Sequence, residues 1–161
     1  MTGGLWFALI LVAALGAGLI AGVFFAFSSF VMRALGRLPA PGGIAAMQAI
    51  NVVVLNLAFL GVFLGTAVLC LVLAVTAMIH WQSGLATWLI GAALCYLLGT
   101  VLVTMAFNVP RNDALAKVEP SSTAGAQLWA RYLVGWTVWN SVRTLAALAA
   151  SGLFIVALTR L

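Results

Sequence analysis

Long apolar runs alternate with short polar breaks along this chain. The first run covers residues 5–32. A bilayer core is crossed by roughly 20 apolar residues at ~1.5 Å of rise each, so this run predicts a spanning helix. It ends at Arg33 and Arg37 and is followed by the breaker Pro-Ala-Pro-Gly-Gly at 39–43. The second run, 44–79, would be about 54 Å long as one helix. Its first turns are therefore expected to project into water or the interface. Residues 80–84, His-Trp-Gln-Ser-Gly, read as a tight turn. The third run, 85–107, is expected to close at Asn108, because Pro110 disfavours helix at the residue before it. A polar segment, 111–126, carries both acidic residues, Asp113 and Glu119. The fourth run, 127–158, again exceeds one bilayer thickness, and its first turns hold Arg131. The pattern predicts an all-α fold, a single four-transmembrane-helix bundle over residues 1–161.

Composition sharpens this picture. Charged residues are 6% of the chain, against roughly a quarter in a soluble domain. A water-facing surface cannot be built from so few, so the surface must face lipid. The amino-terminal run lacks a basic leader and outlasts the usual signal-peptide core of ~7–15 residues, so it reads as the first spanning helix. The net charge of +5 would suggest nucleic acid in a soluble protein. Here the charges sit at helix ends, which speaks for lipid headgroups and against nucleic acid. Arg33 and Arg37 flank the first connection, and Arg111, Lys117 and Arg131 the third. The opposite side has Arg160 near a helix end. The positive-inside bias then puts the first and third connections in the cytoplasm and both termini outside. A multi-pass protein of a bacterial plasma membrane is expected. Cys70 and Cys95 lie inside apolar runs without metal spacing and read as packing residues.

Small residues at four-residue spacing, Ala14, Gly18, Gly22 and Ala26, put one narrow face on the first helix, and Gly61 and Gly65 repeat the device on the second. Tight packing within the bundle and a homodimer face are the two readings of this stripe.

Polar side chains inside apolar runs are costly and need a partner or a role. Ser28 and Ser29 precede Arg33. Gln48 and Asn51 share a face of the second run, and Asn56 lies deeper. Thr100, Thr104 and Asn108 follow four-residue spacing. Trp129, Tyr132, Trp136, Asn140 and Arg143 form one stripe of the fourth helix. Most of these fall in one half of the bundle, on the side expected to be cytoplasmic. A cavity lined by amides, indoles and Arg143 would produce that asymmetry. A central Arg costs ~2.5–3.5 kcal/mol on insertion scales, and no carboxylate lies in any run. Its partner is then an amide, a backbone carbonyl, Asp113 folding back, or an anionic ligand. Trp129 reads as an interfacial belt residue and Trp136 as cavity lining. His80 stands alone at a turn, which offers no metal site of the usual kind. There is also no phosphate-binding loop, so neither a metal nor a nucleotide cofactor is expected.

Three stretches carry a family resemblance: Ala-Gly-Val-Phe-Phe-Ala-Phe-Ser-Ser-Phe at 21–30, Asn-Val-Pro-Arg-Asn-Asp-Ala-Leu at 108–115, and Trp-Thr-Val-Trp-Asn-Ser-Val-Arg at 136–143. With Gln48 and Asn51 they resemble the anthrone-oxygenase-like family of small four-helix membrane proteins. The resemblance implies oxidation of an anthrone, or another planar lipophilic phenol or quinol, by O2 as co-substrate without a cofactor. It implies Arg143, Asn140 and Asn51 as donors for a developing oxyanion and Asp113 as the carboxylate available as base. Trp136 would stack on the ring, with Gln48, Asn108, Ser29 and Thr104 as further lining. A non-enzymatic lipid- or quinone-binding subunit of a larger complex is the alternative reading. Either way the expected partners are the bilayer and a hydrophobic aromatic molecule or lipid.

Overall fold

A computed structural model describes residues 3–81 and 83–161. Five helices follow one another: α1 Gly3–Leu35, α2 Ala40–Val53, α3 Leu57–Ile79, α4 Gly84–Ala116 and α5 Thr123–Leu158. Among the described residues there is no strand. All but α2 are long and apolar enough to cross a membrane. Together with the scarcity of charge, this makes the chain an integral membrane protein with a four-helix transmembrane bundle.

The lengths of the helices divide the molecule into two parts. α3 has 23 residues, ~34 Å, which matches a bilayer core. α1 and α4 have 33 each and α5 has 36, so each outruns that thickness by several turns. The overhanging ends of α1 and α4 pack with α5 around the short helix α2. The main bundle forms where α1 lies along α5, with α3 and the first half of α4 closing the other side.

Each part has its own core. In the bundle, Ile10, Ala13, Ala17, Ile20, Leu73, Leu89, Ala147 and Phe154 pack with many further alanines. Under α2, the core is Met32, Ile44, Met47, Leu115, Trp129, Tyr132 and Trp136. Trp129, expected at an interfacial belt, is buried instead and stacks on Tyr132 at 5.5 Å.

Three boundaries differ from the sequence reading. The expected breaker at 39–43 is helical from Ala40 onward, because Pro41 falls in the first turn, where its missing N–H costs little. The run 44–79 is not one long helix. It breaks at Asn56, whose amide caps both neighbours: its Nδ2 donates to the Val53 carbonyl at 2.9 Å and its Oδ1 accepts from the Phe59 N–H at 3.0 Å. An Asn that satisfies the orphan groups of two helix ends makes an elbow affordable within an apolar run. The third helix, expected to close at Asn108, instead continues through Pro110 to Ala116. Its wider π-helical turns at Thr104–Asn108 shift the bonding, so that the Val109 N–H reaches the Thr104 carbonyl. Proline then falls in the first turn of the following α-helical segment, where its missing N–H costs little. The Arg111 guanidinium satisfies the Phe107 carbonyl at 2.6 Å.

The small residues also distribute differently. A Cβ on Gly22, Gly61 or Gly65 would meet nothing within 4 Å. The close approaches are at Gly16 against Thr66 and at Gly99, where a Cβ would come 2.5 Å from that of Ala146. Gly18 faces Ser151, whose hydroxyl donates to the Ala14 carbonyl at 2.9 Å.

Candidate functional site

Between the elbow and α5 lies a cavity of about 480 Å³, within the range of small-molecule sites. All five helices line it. Phe24 and Phe27 come from α1, Gln48 and Asn51 from α2, and Phe59 and Phe63 from α3. Thr104, Asn112 and Asp113 come from α4, and Trp136 and Arg143 from α5. The remainder of the lining is aliphatic, and its outer edge is the exposed Val52 and Leu55 of the elbow.

Arg143 is the charge of this site, buried to 6% exposure. Its Nε and Nη2 both donate to Asn140 Oδ1, at 3.0 and 2.8 Å, and its Nη1 donates to Thr104 Oγ1 at 3.2 Å. The guanidinium lies over the Phe24 ring at 3.8 Å and near the Trp136 ring at 5.1 Å. Desolvated cation–π contacts of this kind contribute about 2 kcal/mol or more. A guanidinium has five N–H donors. Three are engaged by these partners, which leaves one on each terminal nitrogen beside the cavity. All of its partners are neutral, so the positive charge is held by dipoles and ring faces.

Asn140 makes this arrangement rigid. It is fully buried, and its Nδ2 donates to the Phe24 carbonyl and to Ser28 Oγ, both at 2.7 Å. Ser28 Oγ in turn lies 2.9 Å from Ser141 Oγ. With both N–H groups spent, Asn140 presents its oxygen to Arg143 and stands behind it, outside the cavity lining.

The depth of Arg143 follows from α3. Phe24 contacts Phe59 and Phe63 at 6.4 and 6.5 Å between ring centroids. Those residues lie within the first two turns of α3, about 3 and 9 Å from its start. The cation therefore sits level with the first two turns of α3, on the α2 side, beneath an aromatic roof.

The remaining candidates are spread more widely. Thr104 lines the cavity, accepts from Arg143 and donates to the Thr100 carbonyl at 2.7 Å. Gln48 lines it too, but its amide nitrogen Nε2 donates to the Leu115 carbonyl at the end of α4 and to the Val118 carbonyl just beyond it. Asn51 lines the cavity and neighbours the Tyr132 hydroxyl. Asp113 is exposed but belongs to the lining. Asn108 is buried behind the wall, where it donates to the Trp136 carbonyl at 3.2 Å while its Oδ1 has no partner among the described residues. Ser29 turns back to the Phe25 carbonyl at 2.7 Å and is not among the lining residues.

One polar lining residue escaped the sequence reading, along with the phenylalanines Phe24, Phe27, Phe59 and Phe63. Asn112 Oδ1 accepts from both the Tyr132 hydroxyl and the Trp136 indole N–H, each at 2.8 Å. The signal was present: Asn112 continues the four-residue stripe of Thr100, Thr104 and Asn108. Reading Pro110 as a helix end cut that stripe short.

The chain is thus an apolar helical bundle that buries an amide-anchored arginine against an aromatic cavity. The comparison with known families gives it a place: the family model for anthrone oxygenase matches residues 56–153. The match covers well over half of the chain, and the protein belongs to the anthrone oxygenase family. It runs from the elbow residue through α3 and α4 and past Arg143. Nothing among curated proteins or solved structures matches the chain.

Proposed function

We propose that the protein oxidises an anthrone-like, planar lipophilic phenol with O2 in the cavity beside Arg143, without a cofactor. The observation that carries this reading is the buried guanidinium itself. It keeps two N–H donors beside an aromatic cavity and has only neutral partners. Such a group favours negative charge that develops on a bound ring oxygen.

The chemistry balances with O2 as the sole oxidant. An anthrone loses a proton from its methylene, and the electron pair delocalises onto the carbonyl oxygen, where Arg143 donates. The carbanionic carbon and O2 then form a C–O bond, which gives a hydroperoxide after protonation. Loss of water breaks the O–O bond and leaves the quinone carbonyl, with one oxygen atom in the product and the other in water. Asp113 is the carboxylate of the lining and the candidate base. Phe24, Phe27 and Trp136 supply ring faces, and the aliphatic elbow keeps water from the carbanion.

The test uses purified protein in nanodiscs with anthrone under air and under argon. The proposal expects quinone formation well above the spontaneous rate, only under air, with one atom of ¹⁸O₂ in the product. A rate equal to that of empty nanodiscs would sink it.

A second reading is favoured by the exposed apolar edge at Val52 and Leu55. There the cavity would hold a lipid or quinone without turning it over. Native mass spectrometry from mild detergent would then show a retained lipid, and the anthrone assay would be silent.

A further inference from the structure

Asn112 has a feature that its bonding partners settle. An indole N–H is a donor only, so the group 2.8 Å from Trp136 Nε1 must be the amide oxygen of Asn112. The Tyr132 hydroxyl donates to the same oxygen at 2.8 Å. With the oxygen held by this fork, the amide cannot flip, and the NH2 group is directed away from Tyr132 and Trp136. Asn112 lines the cavity, and no hydrogen bond among the described residues engages its NH2. Arg143 lies against the ring of the same Trp136 whose N–H holds Asn112. One indole thus fixes two donors at the cavity, one cationic and one neutral.

We infer that Asn112 is the second oxygen-binding residue of the site, donating through its NH2 group to a ligand oxygen other than the one Arg143 holds. The inference rests on the functional reading above and narrows its ligand class. The site favours planar ring systems that carry a second oxygen acceptor, so it binds a quinone more tightly than the corresponding anthrone. Asn112 belongs to the Asn-Val-Pro-Arg-Asn-Asp stretch, and its placement gives that stretch a role at the cavity beyond carrying α4 through Pro110.

The test is equilibrium binding, which does not depend on turnover. Anthracene, anthrone and anthraquinone carry zero, one and two ring oxygens. Each is titrated into full-length protein in nanodiscs and followed by tryptophan quenching. Affinity should rise at both steps, roughly three- to tenfold for the second. Equal affinity for anthrone and anthraquinone in the unaltered protein would overturn the inference without any variant. Asn112→Asp then separates donor from scaffold. A carboxylate still accepts from Tyr132 and Trp136 but has no N–H to give. It should lose at least about tenfold in anthraquinone affinity and leave anthracene binding unchanged. Wild-type affinity of Asn112→Asp for anthraquinone would overturn the assignment. Failure of all three compounds to bind would overturn the functional reading and the inference with it. Binding that follows the expected series without anthrone turnover would support Asn112 while removing the catalytic proposal.

Discussion

The two cores of this protein are built from the same helices by opposite means. In the bundle, α1 and α5 approach through alanines and glycines, and the polar groups there are small hydroxyls tied to nearby backbone. Ser151 to Ala14 is one such bond, and the Tyr96 hydroxyl to the Phe63 carbonyl at 3.1 Å is another. On the α2 side the spacing is set by large rings. Trp129, Tyr132 and Trp136 stack in a ladder with centroids 5.5 and 6.1 Å apart, and amides bridge helix to helix. Small side chains let helices approach closely along the middle of the bundle, and a cavity of about 330 Å³ opens only at its far end, between Trp6, His80 and Leu161. Rings and amides hold helices apart while fixing their orientation, and that half contains the 480 Å³ cavity beside Arg143.

The comparison can be broken first at Arg143. Arg143→Ala should lower anthrone turnover by about 10²–10³, the usual cost of removing an oxyanion donor, and should also lower the melting temperature, because the buried Asn140 oxygen loses its guanidinium partner and Phe24 its cation. Quinone absorbance per folded protein is the readout, and near-wild-type turnover would remove Arg143 from the mechanism. In the bundle, Gly99→Val should act on stability alone. Its Cβ would press on Ala146, and overpacking typically costs about 1–3 kcal/mol. Thermal unfolding in nanodiscs should register that loss, while turnover per folded molecule stays near wild type.

A smaller effect is expected at the elbow. Asn56→Ala removes caps from two helix ends, worth about 1–2 kcal/mol. Hydrogen exchange should speed up at the end of α2 and the first turn of α3, and remain unchanged along α1. Protection that stays at the wild-type level would show that Asn56 does not hold the elbow. The smallest effect belongs to Trp136→Phe, which keeps a ring but frees the Asn112 oxygen. A loss of roughly threefold in anthraquinone affinity is expected, with anthracene unaffected.

Helical periodicity made much of this readable in the sequence. The stripe Trp129, Tyr132, Trp136, Asn140 and Arg143 is buried along its whole length, because one face of a long helix keeps its direction over about four turns. The sidedness of the polar groups also foretold a cavity. The elbow was hidden, because an Asn in an apolar run looks like a buried polar group until its two capping bonds are seen. Pro110 misled for a related reason. The rule for the residue before proline assumes α-helical bonding, and the π-helical turns of α4 alter that bonding just ahead of it. Sequence spacing also could not tell which amides face the cavity and which stand behind it. Asn140 and Asn108 support the wall, whereas Asn51 and Asn112 line it.

The central claim is that the ring-built half holds a planar aromatic by its oxygen at Arg143. An experimental structure of the protein with anthraquinone bound tests it most directly. The account predicts a flat ring system beside Trp136 and Phe24, with one carbonyl oxygen within hydrogen-bond distance of the Arg143 guanidinium. A lipid chain running through the elbow, or a ring bound elsewhere with Arg143 untouched, would contradict it.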